Sequence, residues 1–162
     1  MKRIIIVIAM TSLLFSCAED EVLPKQTEWQ EVTIGANVLP LYLRIPVGED
    51  PGVNPRWNET FGRLELIGKN NEEIFIREST TTCSDKKKDL ATSIFEVIFL
   101  EESDSLLIYR TSVPGGEESY WNIFASFTDG ENSYVAEQNP LIAYDKEEIL
   151  RMSDIIKHIE AN

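Results

Sequence analysis

Few residues in this chain have the type and spacing that acid–base or metal chemistry requires. His158 is the only histidine among the 162 residues, which argues against most histidine-dependent triads and histidine-rich metal sites. It falls on the polar face of a predicted terminal helix, together with Arg151 and Asp154. Residues 129–132 offer side-chain oxygens to a cation but lack the spacing of a calcium loop, so we interpret them as a hairpin turn.

Acidic residues also occur as four adjacent pairs. These are Glu72-Glu73, Glu101-Glu102, Glu117-Glu118 and Glu147-Glu148. Neighbouring residues on a strand point to opposite faces of a sheet, and most of the pairs flank predicted turns, so we interpret them as solvated turn charges. The sequence therefore predicts no catalytic residue, no metal and no cofactor, and we expect a protein that is not an enzyme.

The N-terminus carries a short apolar run that ends at a cysteine. Lys2 and Arg3 precede the run, which covers residues 4–15 and is too short for a membrane-spanning helix. It ends in Leu14-Phe15-Ser16-Cys17, which resembles the lipobox of bacterial lipoproteins of the Bacteroidota type. The resemblance covers only this signal. It implies that residues 1–16 are a signal peptide and that Cys17 carries a diacylglycerol and a further acyl chain, which together anchor the protein to a membrane.

A polar segment follows the cysteine. Residues 17–26 show no apolar period, and we interpret them as a tether. Ala18 argues against retention in an inner membrane, and the acidic triplet Glu19-Asp20-Glu21 resembles the surface-export signal of Bacteroidota lipoproteins. We therefore expect an outer-membrane lipoprotein that faces either the periplasm or the cell surface.

Cys83 is the second of the two cysteines, and it would be the only free thiol once Cys17 is lipidated. A single thiol cannot form an internal disulfide. Three lysines at 86–88 supply some positive charge, but no histidine is nearby in sequence. We favour a buried or incidental cysteine over a reactive one.

The charge balance limits the class of partner. With 15 basic and 28 acidic residues, the formal net charge is -13. Phosphate binding requires a basic surface, so the charge argues against a nucleic-acid partner and we expect none. Residues 27–162 are long enough to bury a core without disulfides, and we expect one monomeric domain.

Apolar residues of the mature chain recur mostly with a period of two, which indicates strands. Four successive hairpins are predicted, with strand pairs around residues 32–45, 64–76, 95–108 and 121–135. The predicted fold is mainly β, an antiparallel β-sandwich or meander of about eight strands with one C-terminal α-helix packed on the sheet. Trp121 alternates with core residues and is predicted to be buried.

The third hairpin is apolar on both faces, which predicts a central position with both faces covered. We expect Phe95 and Ile108 on one face and Leu107 and Tyr109 on the other. Residues 145–161 could cover the face around Leu107, because apolar residues recur there at helical spacing behind a capping-box pattern. Two long connections, 46–60 and 79–93, are predicted to be loops.

The most suggestive group of binding residues comes from the first hairpin. A two-residue loop at Gly35-Ala36 would place Trp29 opposite Tyr42 on the polar face, with Arg44 beside them. Arg56-Trp57 in the following loop could fold over the same surface. Aromatic rings beside guanidinium groups suit a sugar or a partner protein. The alternatives are a stabilising cross-strand aromatic pair and, for Trp57, a cap on the core.

Three classes of function remain open on this sequence. The leading one is a non-catalytic lipoprotein that binds a partner protein or a glycan. The alternative is a lipocalin-like carrier of a small apolar ligand, because meandering strands followed by a helix resemble that barrel, although no Gly-x-Trp precedes the first strand. An enzyme that uses carboxylates is the least favoured class.

Overall fold

The computed structural model describes residues 28–33, 41–47, 53–68, 70 and 72–161, and only the backbone of 28–33, 41–47, 160 and 161. The predicted signal peptide, Cys17 and the tether lie outside these ranges. The strands are β1 (Glu28–Thr33), β2 (Leu41–Val47), β3 (Asn54–Asn58), β4 (Arg63–Ile67), β5 (Glu73–Glu78), β6 (Glu96–Glu102), β7 (Leu106–Ser112), β8 (Ser119–Thr128), β9 (Ser133–Gln138) and β10 (Ile159–Ala161). The helices are α1 (Cys83–Ala91) and α2 (Lys146–Lys157). Neither is long and apolar enough to cross a membrane, within the ranges described.

Seven strands form one antiparallel open sheet in the order β3-β4-β5-β9-β8-β7-β6. It consists of two meanders, β3 to β5 and β6 to β9, which meet where β5 pairs with β9. The connection through α1 carries the chain from the middle of the sheet to its far edge at β6. The predicted mainly β meander with a C-terminal helix on the sheet is therefore confirmed, whereas the open sheet differs from the closed lipocalin-type barrel.

A separate three-stranded sheet has the order β1-β2-β10. Its first two strands form the predicted hairpin, but the register differs from our expectation. Val32 pairs with Leu43 rather than with Leu39, so seven residues rather than two connect the strands. The chain end also differs, because the predicted helix stops at Lys157 and residues 159–161 pair with β2 instead.

One face of the large sheet carries the main hydrophobic core. Leu64, Ile76, Ile108 and Ile123 are fully buried there against the apolar face of α2. The helix contributes Ile149, Met152, Ile155 and Ile156 to this first cluster. Burial of a side chain of this kind stabilises a fold by about 1.5 to 3 kcal/mol, so the amphipathic helix is held mainly by its packing.

Both helices begin as their sequences dictate. The Asp145 carboxylate accepts a hydrogen bond from the Glu148 N–H, and the Glu148 side chain accepts one from the Asp145 N–H, as predicted for α2. Thr82 and Asp85 form the equivalent box at α1. Residues 83–91 are therefore helical, and the prediction of a loop over 79–93 is wrong for this part.

The opposite face of the sheet is covered at one end by α1. Leu107, Tyr109, Phe124 and Val135 form a second buried cluster with Cys83. Leu107 and Ile108 are consecutive residues that point to opposite faces of the sheet, and both are fully buried. Both faces of β7 are therefore covered, each by its own cluster. The prediction that the terminal helix covers the Leu107 face is wrong, since α2 covers the Ile108 face.

Candidate functional site

The third hairpin ends the large sheet rather than occupying its centre. β7 is internal as expected, but β6 pairs only with β7, and no described strand lies on its outer side. An edge strand presents unpaired backbone N–H and C=O groups that can pair with another chain. A register shift between Phe99 and Glu101 marks a bulge in this strand. The central position predicted for β6 is therefore wrong, because β6 is an edge strand among the strands that the structure describes.

Large apolar side chains are exposed around this edge. Of the nine exposed large hydrophobic residues in the described part of the chain, six belong to β6, the residues before it or the adjoining β7–β8 hairpin. These six, which we call the β6 corner, are Ile94, Phe95, Ile98, Leu100, Val113 and Tyr120. An apolar group of this kind marks an interaction site more often than isolated exposed residues do.

Strand pairing brings these residues to one corner of the sheet, although not all to one face. Tyr120 is in register with Thr111 and Val97, so it lies on the face opposite Ile98. Glu96 pairs with Ser112, which pairs in turn with Ser119, so the start of β6 lies beside the β7–β8 turn. Exposure alternates along β6. Val97 and Phe99 are half-buried against the second cluster, whereas Ile98 and Leu100 on the other face are 53% and 46% exposed. The strand is thus held by one face and leaves an apolar row on the other.

Each of the two helices also forms an ion pair with β6. Lys87 Nζ of α1 donates to Glu102 Oε1 at 2.6 Å, and Lys157 Nζ of α2 donates to Glu101 Oε2 at 3.0 Å. The hydrogen bond with Glu102 raises the pKa of Lys87. Exposed pairs of this type add little stability individually. They link each helix to the C-terminal end of β6 and involve neither Ile98 nor Leu100.

The structure separates Arg56 from Trp57, which the sequence placed on one surface. Both lie on β3, at the other edge of the large sheet, and consecutive strand residues point to opposite faces. Trp57 is half-buried against the first cluster, as the capping alternative expected. Arg56 lies on the opposite face, so these two side chains do not form one binding platform.

Arg56 belongs to a cluster of charges around a buried carboxylate. Glu65 is 3% exposed and accepts hydrogen bonds from the Arg56, Arg63 and Asn58 side chains. Burial alone would raise the pKa of Glu65, but these hydrogen bonds outweigh it and lower the pKa. The Arg63 guanidinium also lies 3.5 Å from the ring centre of Phe75. Both carboxylate oxygens of Glu65 accept hydrogen bonds from side chains of this protein, so the cluster links β3 to β4.

Trp29, Tyr42 and Arg44 lie on the small sheet, where only the backbone is described. The register places Tyr42 opposite Thr33 and Trp29 opposite Pro46, so the predicted Trp29–Tyr42 cross-strand pair is wrong. Pro46, the partner of Trp29, is four residues from Tyr42 along β2, which corresponds to roughly 13 Å. The ligand-binding role of Trp29, Tyr42 and Arg44 stays a prediction.

Two other acidic sites have structural partners. Glu72 is 1% exposed and accepts a hydrogen bond from Arg151 Nε at 2.6 Å, so it is not the solvated turn charge that we expected. Asp129 accepts hydrogen bonds from the backbone N–H groups of Glu131 and Asn132 and from the hydroxyl of Tyr134. Its carboxylate therefore closes the β8–β9 turn, in agreement with the predicted hairpin.

Cys83 lies at the start of α1 and is fully buried. Its sulfur is 3.4 Å from Ser126 Oγ, and burial raises the pKa of the thiol. Nucleophilic chemistry requires the thiolate, so burial and a raised pKa both oppose reactivity. The expectation of a buried cysteine is confirmed.

The β6 corner is the surface that the sequence analysis missed, although its signal was present. Residues 94–100 are apolar at almost every position, which we interpreted as a strand buried on both faces.

A comparison of the chain with protein-family models, with curated proteins and with solved structures finds no match.

Proposed function

We propose that the protein is a non-catalytic, lipid-anchored binding protein that holds a partner protein at the β6 corner. The observation that carries this proposal is the exposed apolar pair Ile98 and Leu100 on an edge strand whose outer side pairs with no described strand, with exposed Ile94 just before it. Strand addition to an edge of this kind supplies backbone hydrogen bonds, and the side chains of alternate residues supply specificity. The anchor part of the proposal rests on the lipobox at residues 14–17.

The chemistry of the corner favours a protein partner over a glycan. Four of its six residues, Ile94, Ile98, Leu100 and Val113, are aliphatic and have no ring face on which a sugar could stack. The two aromatic residues, Phe95 and Tyr120, lie outside the edge strand itself. The aliphatic residues match the apolar side chains that an added strand presents on one of its faces. A carrier function has less support, because the two faces of the sheet pack against helices instead of enclosing a barrel interior.

The proposal is tested by site-specific photo-crosslinking in intact cells. A photoreactive residue at position 98 should form an adduct with one identifiable protein. The matched control carries the same residue at position 141, because Leu141 is 91% exposed but lies outside the β6 corner. Equal adducts from both positions would indicate random collision and would contradict the proposal.

The identified partner is then purified and its affinity is measured with the full chain in detergent. Ile98→Lys should weaken binding at least tenfold, about 1.4 kcal/mol, because it places a charge in the apolar row. Leu141→Lys should leave the affinity unchanged, and circular dichroism should show both variants to be folded. If Ile98→Lys binds as tightly as the wild type, the partner docks elsewhere.

A further inference from the structure

A second copy of this chain is a poor occupant of the β6 edge. Glu96 begins the strand, and Glu101 and Glu102 end it after the register shift. A second copy would bring the same acidic ends to the edge, together with its own net charge of -13. Repulsion between like charges opposes this association and leaves the apolar row available to another protein.

The charges around the corner indicate what the edge accepts instead. Exposed acidic groups surround it at Glu96, Asp104, Glu117 and Glu118. The lysines that reach β6 from α1 and α2 already pair with Glu102 and Glu101. Arg110 is opposite Ile98 within the sheet and is the one further cation along β6 and β7. The local charge is therefore negative, in line with the net charge of -13 for the chain.

We propose that β6 accepts an extended segment of another protein in which alternating apolar residues are flanked by lysine or arginine. This inference rests on the proposed function and specifies the partner. The apolar residues would cover Ile98 and Leu100, and the flanking cations would face the acidic groups at Glu96 and Glu117. Electrostatic complementarity of this kind selects partners and accelerates encounter. The chain's own segment 18–26 is a poor occupant, because its acidic triplet would be repelled.

The test uses three synthetic peptides and the full chain in a neutral detergent. The first peptide alternates valine and threonine and has two lysines at each end. The second has glutamates in place of the lysines, and the third keeps the lysines but has a proline at its centre, which blocks strand pairing. Binding is measured by fluorescence anisotropy at about 0.05 M and about 0.5 M salt, where charge screening differs strongly.

The lysine peptide should bind at least tenfold more tightly than either of the other two, and its advantage over the glutamate peptide should shrink at high salt. Glu96→Lys combined with Glu117→Lys should reverse the preference, and neither residue belongs to the ion pairs that hold β6. Glu59→Lys combined with Glu147→Lys is the matched control, because it changes the net charge equally at exposed positions outside β6, and it should keep the original preference.

Each other outcome overturns the inference in a distinguishable way. Equal binding of the lysine and glutamate peptides would refute the charge preference and leave strand addition standing. Equal binding of the proline peptide would show that diffuse charge attraction, rather than strand pairing, holds the peptide. Failure of all three peptides to bind would refute the specified segment, and crosslinks from position 98 would then decide separately whether the proposed function survives.

Discussion

Shortening side chains on the two faces of β7 should destabilise the protein through two different clusters. Ile108 is fully buried in the first cluster, and Leu107 is fully buried in the second. Truncation of a buried leucine or isoleucine to alanine removes its transfer free energy and leaves a cavity, which costs about 2 to 5 kcal/mol. We therefore expect Ile108→Ala and Leu107→Ala each to lower the free energy of unfolding by an amount in this range.

A second substitution, Met152→Ala in α2, shows which face the helix covers. Met152 belongs to the same cluster as Ile108, so their double variant should deviate from additivity by about 0.5 to 3 kcal/mol. Leu107 lies on the other face of the sheet, beneath α1. The free-energy changes of Leu107→Ala and Met152→Ala should add to within about 0.5 kcal/mol.

Urea unfolding of a form that begins at Thr27 measures these changes, because the midpoint and slope together give the free energy of unfolding. Leu141→Ala is the control and should change stability by less than about 0.5 kcal/mol, since Leu141 is 91% exposed. The reasoning is refuted if Leu107 couples to Met152 while Ile108 does not. That result would place α2 on the Leu107 face of the sheet instead of the Ile108 face.

Three further predictions concern single residues. Cys17→Ser should move the protein from the membrane fraction to the soluble fraction or stall its processing, and unchanged membrane partitioning of a correctly processed variant would contradict the anchor. Cys83 should react with thiol reagents only at the rate of unfolding, because it is fully buried and its pKa is raised; rapid modification of the folded protein would show that the site is open. Asp129 has a pKa lowered from 3.8 to about 2 by hydrogen bonds from the backbone and side chain of Asn132 and from the backbone of Glu131. Its stabilising contribution should persist above pH 3.8 and disappear as the pH falls through about 2, so Asp129→Ala should be less stable than the wild type at pH 6 and should lose less stability on acidification.

Local patterns identified the hairpins but could not determine the register of the first one. The predicted register pairs Val32 with Leu39, and the structure pairs it with Leu43, a slide of four residues along β2. An even slide keeps every residue on the same face of the sheet, so the hydrophobic alternation is equally satisfied in both registers. Only the length of the connection distinguishes them, and the Gly35-Ala36 turn signal pointed to the shorter one.

Contacts between residues far apart in the sequence explain the other differences between the predicted and the observed structure. Glu72 lies next to a turn in sequence, yet Arg151, which is 79 residues away, forms an ion pair with one of its two buried carboxylate oxygens. α1 has only Cys83 fully buried and Leu90 packed at the margin of a cluster, so it lacks the apolar period that made α2 predictable. An apolar strand such as β6 has the same sequence pattern whether it is central or at an exposed edge, and its position depends on the order of strands in the sheet.

Amide hydrogen exchange tests the central claim most directly, because the sheet has two edges and only one is proposed to bind. The full chain is compared free and in complex with the partner identified by crosslinking from position 98. We predict that exchange slows at least tenfold at residues 96–102 and is unchanged at residues 54–58 of β3, the opposite edge. Slower exchange at β3 with no change at β6 would contradict the account.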